Sequence, residues 1–211
     1  MAWRKSVLFV FLFSIVGVST ARAQHQFEVT PFGGSRFGGV IDVNTSSVDY
    51  LTIKSGWNYG IQADYTLFPQ LQAEFMFNHQ PTDLDAHVIQ TDSRQFLTSA
   101  DIDMYQWGFL FSFKSPEKSL QPFVVGGLGF THFKAGGELP FTDRFSYNLG
   151  LGAKYFFSRH VGLRAEARWS PSRTTSQDEI FFDPFFGPQV VRVASHAEQG
   201  QANLGVIFRF R

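Results

Sequence analysis

The chain has 211 residues with 18 basic and 18 acidic side chains, a formal net charge of zero. That length fits one domain, and the balanced charge excludes the basic face a nucleic-acid binder needs. The absence of cysteine excludes a disulfide framework, a thiolate metal site and a cysteine nucleophile, while aromatics at 17%, with 26 Phe, exceed ordinary soluble composition.

Arg4 and Lys5 precede the apolar run 7–18 (VLFVFLFSIVGV), and Ala21-Arg22-Ala23 fits an A-x-A cleavage pattern. Residues 1–23 are therefore read as a cleavable signal peptide, and 24–211 as a single β-barrel domain. The run is short for a span of about 30 Å of hydrocarbon. No later apolar run is long enough for a transmembrane helix, so a membrane form of the mature chain has to be a barrel.

Period-two alternation then recurs along the chain. A first strand over 27–33 sets Phe27 and Val29 against Glu28 and Thr30. Residues 35–54 form a long connection with room for a hairpin around Asn44-Thr45-Ser46-Ser47. A second strand over 55–67 sets Trp57, Tyr59, Ile61, Ala63 and Tyr65 against Asn58, Gly60, Gln62 and Asp64. Phe68-Pro69-Gln70 is a tight turn into a third strand over 71–78, with Phe75 and Phe77 opposite Gln72 and Glu74. Residues 79–102 are a second long connection. A fourth strand over 103–113 aligns Tyr105, Trp107, Phe109, Phe111 and Phe113. After the short turn 114–119 comes a fifth strand over 121–133, whose glycines blur the faces; Val124, Leu128 and Phe130 are assigned outward.

A third connection covers 134–144, and the clearest hairpin follows over 145–169. Its arms set Tyr147, Leu149, Leu151, Ala153 and Tyr155 against Lys154, and Val161, Leu163, Ala165, Ala167 and Trp169 against Arg164, Glu166 and Arg168. The longest connection, 170–196, leads to an eighth strand over 197–210 with Arg209 opposite Phe208 and Phe210. Eight strands with gaps alternating long and short suit an all-β, eight-stranded antiparallel transmembrane β-barrel with long extracellular loops and short periplasmic turns.

Alternation alone does not say which face meets lipid. The apolar face carries more rings than the interior of an eight-stranded barrel can hold. The polar face is rich in Gly, Ser, Asn and Gln, with charges of both signs. Glu28, Asp64, Glu74, Lys154, Arg164, Glu166, Arg168 and Arg209 are therefore expected to form a paired network inside the barrel. Strand directions place Trp57, Tyr105, Trp107, Tyr147 and Trp169 at the long-loop end, and Tyr65, Phe113, Tyr155 and Phe210 at the turn end. These are two aromatic girdles.

The sequence resembles small bacterial outer-membrane barrels related to the OmpA transmembrane domain and the OmpX/Ail group. The segments that carry the likeness are 121–129 (QPFVVGGLG), 148–155 (NLGLGAKY), 161–169 (VGLRAEARW) and 204–210 (LGVIFRF). The resemblance implies a monomer in outer-membrane lipid, inserted by the barrel-assembly machinery. Such families usually end on an aromatic; here Phe210 is followed by Arg211.

The six histidines, His25, His79, His87, His132, His160 and His196, show no metal-ligand spacing, and there is no G-x-S-x-G. His196-Ala197-Glu198 is the nearest approach to an acid–base pair. Gly33-Gly34 and Gly126-Gly127 read as strand glycines rather than phosphate loops. No cofactor or metal is expected. In the last connection Phe181, Phe182, Phe185 and Phe186 cluster around Pro184 as a loop surface for an unidentified ligand. The resulting expectation is a non-enzymatic outer-membrane barrel with a structural or surface-interaction role. A lipid-modifying outer-membrane enzyme and a soluble lipocalin-like carrier of an apolar ligand stay open beside it.

Overall fold

The computed structural model describes residues 26–42, 48–88, 93–114, 118–135, 142–173, 178–183, 187–192 and 196–210. The expected signal peptide over 1–23 lies outside them. In chain order the strands are β1 (Phe27–Phe37), β2 (Val40–Asp42), β3 (Val48–Ile53), β4 (Gly56–Phe68), β5 (Leu71–Val88), β6 (Ser93–Ser112), β7 (Leu120–Ala135), β8 (Thr142–Phe156), β9 (Val161–Arg173), β10 (Asp178–Asp183), β11 (Gly187–Arg192) and β12 (His196–Phe210).

Eight of these strands close on themselves. β1, β4, β5, β6, β7, β8, β9 and β12 pair in that order, and β12 returns antiparallel to β1, with Phe27 opposite Phe210. Closure leaves the wall without a free edge, which lipid requires because it offers no hydrogen-bond partners. Starting at Arg36 and following cross-strand partners leads through Gln201, Arg168, Gly150, Val125, Leu110, Gln72 and Thr66. Thr66 donates its N–H to Gln26, so the walk returns to β1 ten residues below its start. A stagger of that size tilts eight strands by roughly 40°. Being even, it makes every inward residue meet another inward residue around the whole circuit.

The alternation sorts the side chains as the sequence implies. Phe27, Tyr59, Ile61, Phe109, Leu128, Leu149, Leu151, Leu204 and Phe208 are exposed, whereas Glu28, Gln62, Asp64, Lys154, Arg164 and Arg209 are buried. Val124, Leu128 and Phe130 face outward on β7. The inward positions also hold apolar groups: Leu110, Phe123 and Val125 form one cluster. Gly108 pairs with Gly127 across β6 and β7, where a Cβ on Gly108 would stand 2.2 Å from the carbonyl oxygen of Gly126.

The ends of the strands depart from the sequence reading. The first strand continues to Phe37 rather than stopping at Gly33, and then breaks at Gly38 and Gly39, whose φ angles are 81° and 121°. The connection over 35–54 contains the hairpin β2–β3, and β3 pairs onto the upper part of β5. The supposed connection over 79–102 is mostly strand: β5 runs to Val88 and β6 starts at Ser93, with a bulge at Leu84/Asp85. The third connection narrows because β7 reaches Ala135 and β8 begins at Thr142. The longest one contains the separate hairpin β10–β11. Lipid imposes strict alternation only within the membrane. Above it, backbone pairing continues without an apolar face, so the pattern fades before the strand does.

Leu151 is exposed near the middle of its strand, between Tyr147 and Tyr155. Leu151→Arg is expected to cost about 2–4 kcal/mol in lipid vesicles, the penalty for a cation at the bilayer midplane. Urea titration of the folded, heat-modifiable band checks it; a loss below about 0.5 kcal/mol, the range of surface substitutions, would mean this face does not meet hydrocarbon.

Candidate functional site in the lumen

The inward residues form a stack of layers. At the turn end Arg209 donates to Glu28 Oε1 at 2.8 Å, and its guanidinium lies over the Phe156 ring at 3.5 Å. One layer up, Lys154 Nζ donates to Glu28 Oε2 (2.6 Å), Asp64 Oδ2 (2.8 Å) and Gln72 Oε1 (2.7 Å). Those bonds use all three of its protons. Arg164 donates to Asp64, Glu74 and Glu166, with its guanidinium 4.7 Å from the centre of the Phe123 ring. Arg168 donates to Glu74 and Glu166 and, more weakly, to Asn148. Gln62 donates to Glu166 Oε1 at 2.6 Å. The eight charged residues singled out in the sequence thus lie inward, linked into one network by hydrogen bonds, with four carboxylates and four cations.

An amide layer lies above them. Asn58 donates to Asn203, Asn78 to Gln201, and Asn148 to Gln106. Higher still are Arg36, Gln80, Thr131, Ser146, Ser170 and Gln199, all buried. The first loop folds over this mouth. Ile53 is buried and donates its N–H to Gly39, and Thr82 Oγ1 donates to the Lys54 carbonyl.

Several further inward residues, to which the sequence reading gave no part in the network, join the eight charges. Phe123, Phe156, Gln62, Gln72 and Asn203 complete the network, and the inward phase of each strand is the signal that marks them. Arg36 was hidden because β1 was ended too early.

The aromatics form contacts at both ends of the outer wall. Towards the loops, Trp107 packs on Phe75 (5.4 Å between ring centres), Tyr105 on Phe77 (5.1 Å) and Trp169 on Tyr147 (5.9 Å). Trp57, Trp107 and Trp169 are 80%, 53% and 43% exposed, so all three point outward. Towards the turns, Tyr155 packs on Phe157, Phe113 on Phe111, and Phe210 on Phe27, which pairs with Tyr65.

Just above the upper rings, on the outer surface, His79 and Lys134 hold Asp103 at 2.6 and 2.7 Å. Burial alone would raise the Asp103 carboxyl; the hydrogen bonds from Lys134 and His79 outweigh it and hold it below the usual carboxylate range. His132 bonds Asp143 nearby. Glu198 faces outward and is exposed. Phe181 and Phe182 belong to β10, while Phe185 and Phe186 lie outside the described residues.

The family model described as "Outer membrane protein beta-barrel domain" matches residues 10–210. Among solved structures, the chain resembles OprG of Pseudomonas aeruginosa (TM-score 0.62, 12% identity, covering 89% of this chain and 96% of that one). It also resembles Neisserial surface protein A (TM-score 0.58, 13% identity, 88% and 97% covered). A third likeness is to the outer membrane protein AlkL, solved in DMPC bilayers (TM-score 0.57, 17% identity, 92% and 94% covered). At such identities the likeness establishes the fold alone. No curated relative matches the sequence.

Lys154 gives the sharpest test of the network. Lys154→Met leaves four buried carboxylates against three cations, with Glu28 and Asp64 each losing one partner, and the expected cost is about 3–5 kcal/mol of unfolding free energy. Adding Asp64→Asn should recover part of it, since Glu28 keeps Arg209 and Arg164 keeps Glu74 and Glu166. Chemical unfolding of the single and double variants measures both steps; a neutral single variant would remove the network from the account of stability.

Proposed function

Because the chain belongs to the outer membrane protein β-barrel family, we propose that it is a non-enzymatic barrel whose role is surface interaction through its outer loops. It is an integral protein of the bacterial outer membrane. The polar lumen and apolar outer wall are the reverse of a soluble carrier's arrangement.

One observation carries the proposal. The strands continue past the loop-end aromatics as a paired sheet, with β2 and β3 adding to β5 and β6. A hydrogen-bonded platform standing above the membrane presents a firm surface at the position where barrels of this kind carry function. Below it the lumen is filled by a charge-neutral network, which supports a plugged barrel rather than a channel. We assign the segment 178–192, with Phe181, Phe182, Phe185 and Phe186, as a contact surface in the last long loop. The barrel-assembly machinery would insert the chain as a monomer, reading the outward Phe210 at the turn end.

Replacing residues 174–195 by a tight turn is expected to keep the folded, heat-modifiable barrel and to abolish adherence of expressing cells to a phenyl-coated surface, the probe for an apolar contact. Lipid A acylation, followed by mass spectrometry, is expected to be the same with the full chain, the trimmed chain or neither. A changed acylation pattern with the full chain would overturn the proposal in favour of a lipid-modifying enzyme. Adherence unaffected by trimming would remove the role assigned to this loop.

A further inference from the structure

Above the plug the charge balance breaks. At the level of Arg168 and below, four carboxylates answer four cations. Higher in the lumen the inward Arg36 adds a cation with no carboxylate beside it among the described residues. Among the described side chains, carboxylates near the mouth are engaged elsewhere: Asp83 and Asp85 face Lys54, and Asp103 lies on the outer wall with Lys134 and His79.

Arg36 is 1% exposed, and its Nε and Nη1 have no hydrogen-bond partner among the described residues. A buried guanidinium is retained only where something supplies counter-charge and acceptors. The same level of the lumen carries further unmatched donors: Thr131 Oγ1, Ser146 Oγ, Ser170 Oγ and Gln201 Nε2. Register sets Arg36 directly across from Gln201, and Ser170 across from Gln199. Guanidinium, hydroxyl and amide N–H groups converging in a closed space are the donor set for an oxyanion. Asn58 Oδ1 and Gln80 Oε1 are unmatched acceptors in the same region, which suit the water that accompanies such an ion.

The chain also supplies a cover. Just past Arg36, Gly38 and Gly39 adopt positive φ and turn the first loop off the wall. Gly39 and Ile53 are buried at the mouth, and Gln199 Nε2 donates to the Gly38 carbonyl at 3.4 Å. Exclusion of bulk water strengthens the attraction between Arg36 and an anion.

We propose that the upper lumen binds a small oxyanion of the phosphate or sulfate class on Arg36, beneath the first loop. The site takes the free ion from the outer medium. A phosphate attached to a lipid could enter only by bringing its acyl chains through the closed wall.

The test uses the full mature chain refolded in maltoside micelles without phospholipid. Sodium sulfate or phosphate replaces sodium chloride at constant ionic strength, and the Nε–Hε resonances of 15N-labelled arginine are followed. One buried arginine resonance is expected to shift saturably with sulfate or phosphate and not with chloride. The thermal transition of the folded band should rise in parallel. Arg36→Met should lack both responses. Ser146→Ala with Ser170→Ala, which keeps the arginine, should weaken binding about tenfold, as for loss of hydrogen bonds to a charged group. This double variant also serves if Arg36→Met does not fold. No saturable shift, or unchanged binding in these variants, would overturn the site. A shift that appears only with added phospholipid would overturn the assignment to a free ion.

Discussion

The structure depends on charge neutrality inside a wall whose outside is lipid. In a soluble domain the hydrophobic effect fills the core. Here the apolar side chains are spent on the outer face, and the interior must be held by polar contacts. Lys154 shows how this works: its three hydrogen bonds reach three strands, through Glu28 on β1, Asp64 on β4 and Gln72 on β5. Arg164 and Arg168 tie β9 to β4 and β5 across the lumen. Arg209 and Glu28 join β12 to β1, where the end of the chain closes on its beginning. Any one of these charges alone would be costly in a space this dry; equal numbers of each sign make the interior affordable.

Neutrality is not the whole of the packing. Within the network two guanidinium groups lie on rings, Arg209 on Phe156 and Arg164 on Phe123. A planar cation can meet carboxylates along its edge while its face rests on an aromatic, which an ammonium cannot do as well. Phe123 with Leu110 and Val125 thus provides an apolar shelf that the ionic layer packs against. The glycine pair Gly108 and Gly127 belongs to the same logic, because the wall approaches too closely there for a Cβ. The alternation has a second consequence. No strand contains an apolar run that reads as a helical span, although together the strands build a membrane-spanning surface.

How much of this was legible follows from which force set each feature. Lipid forces a period of two, so the membrane portions of β4, β8 and β9 could be read residue by residue, and parity alone sends Glu28, Lys154 and Arg164 inward. Strand direction was enough to separate Trp57, Trp107 and Trp169 from Tyr155 and Phe210. Partners were not legible. Whether Lys154 meets Glu28, 126 residues away, depends on the stagger of the barrel, which no single segment encodes. Nor were the strand tops. Above the membrane β5 and β6 keep pairing through Asp83, Asp85 and Ser99, with no apolar face to announce it. Arg36 was lost for the same reason, two residues beyond the last obvious pair of β1.

The lumen therefore divides into two parts with different chemistry. The lower part is matched in charge: four cations meet four carboxylates, and its layers interlock from the turn end up to Asn58 and Asn203. The upper part holds Arg36, whose Nε and Nη1 have no partner among the described residues, under a loop that leaves the wall at Gly38 and Gly39. A plug matched in charge has no call on an external anion, whereas a chamber with surplus donors does. The proposed plug fills the turn end of the lumen, so the chamber lies at the loop end, where the strands extend into a platform. The asymmetry of charge inside the barrel and the asymmetry of strand length outside it point to the same end of the molecule.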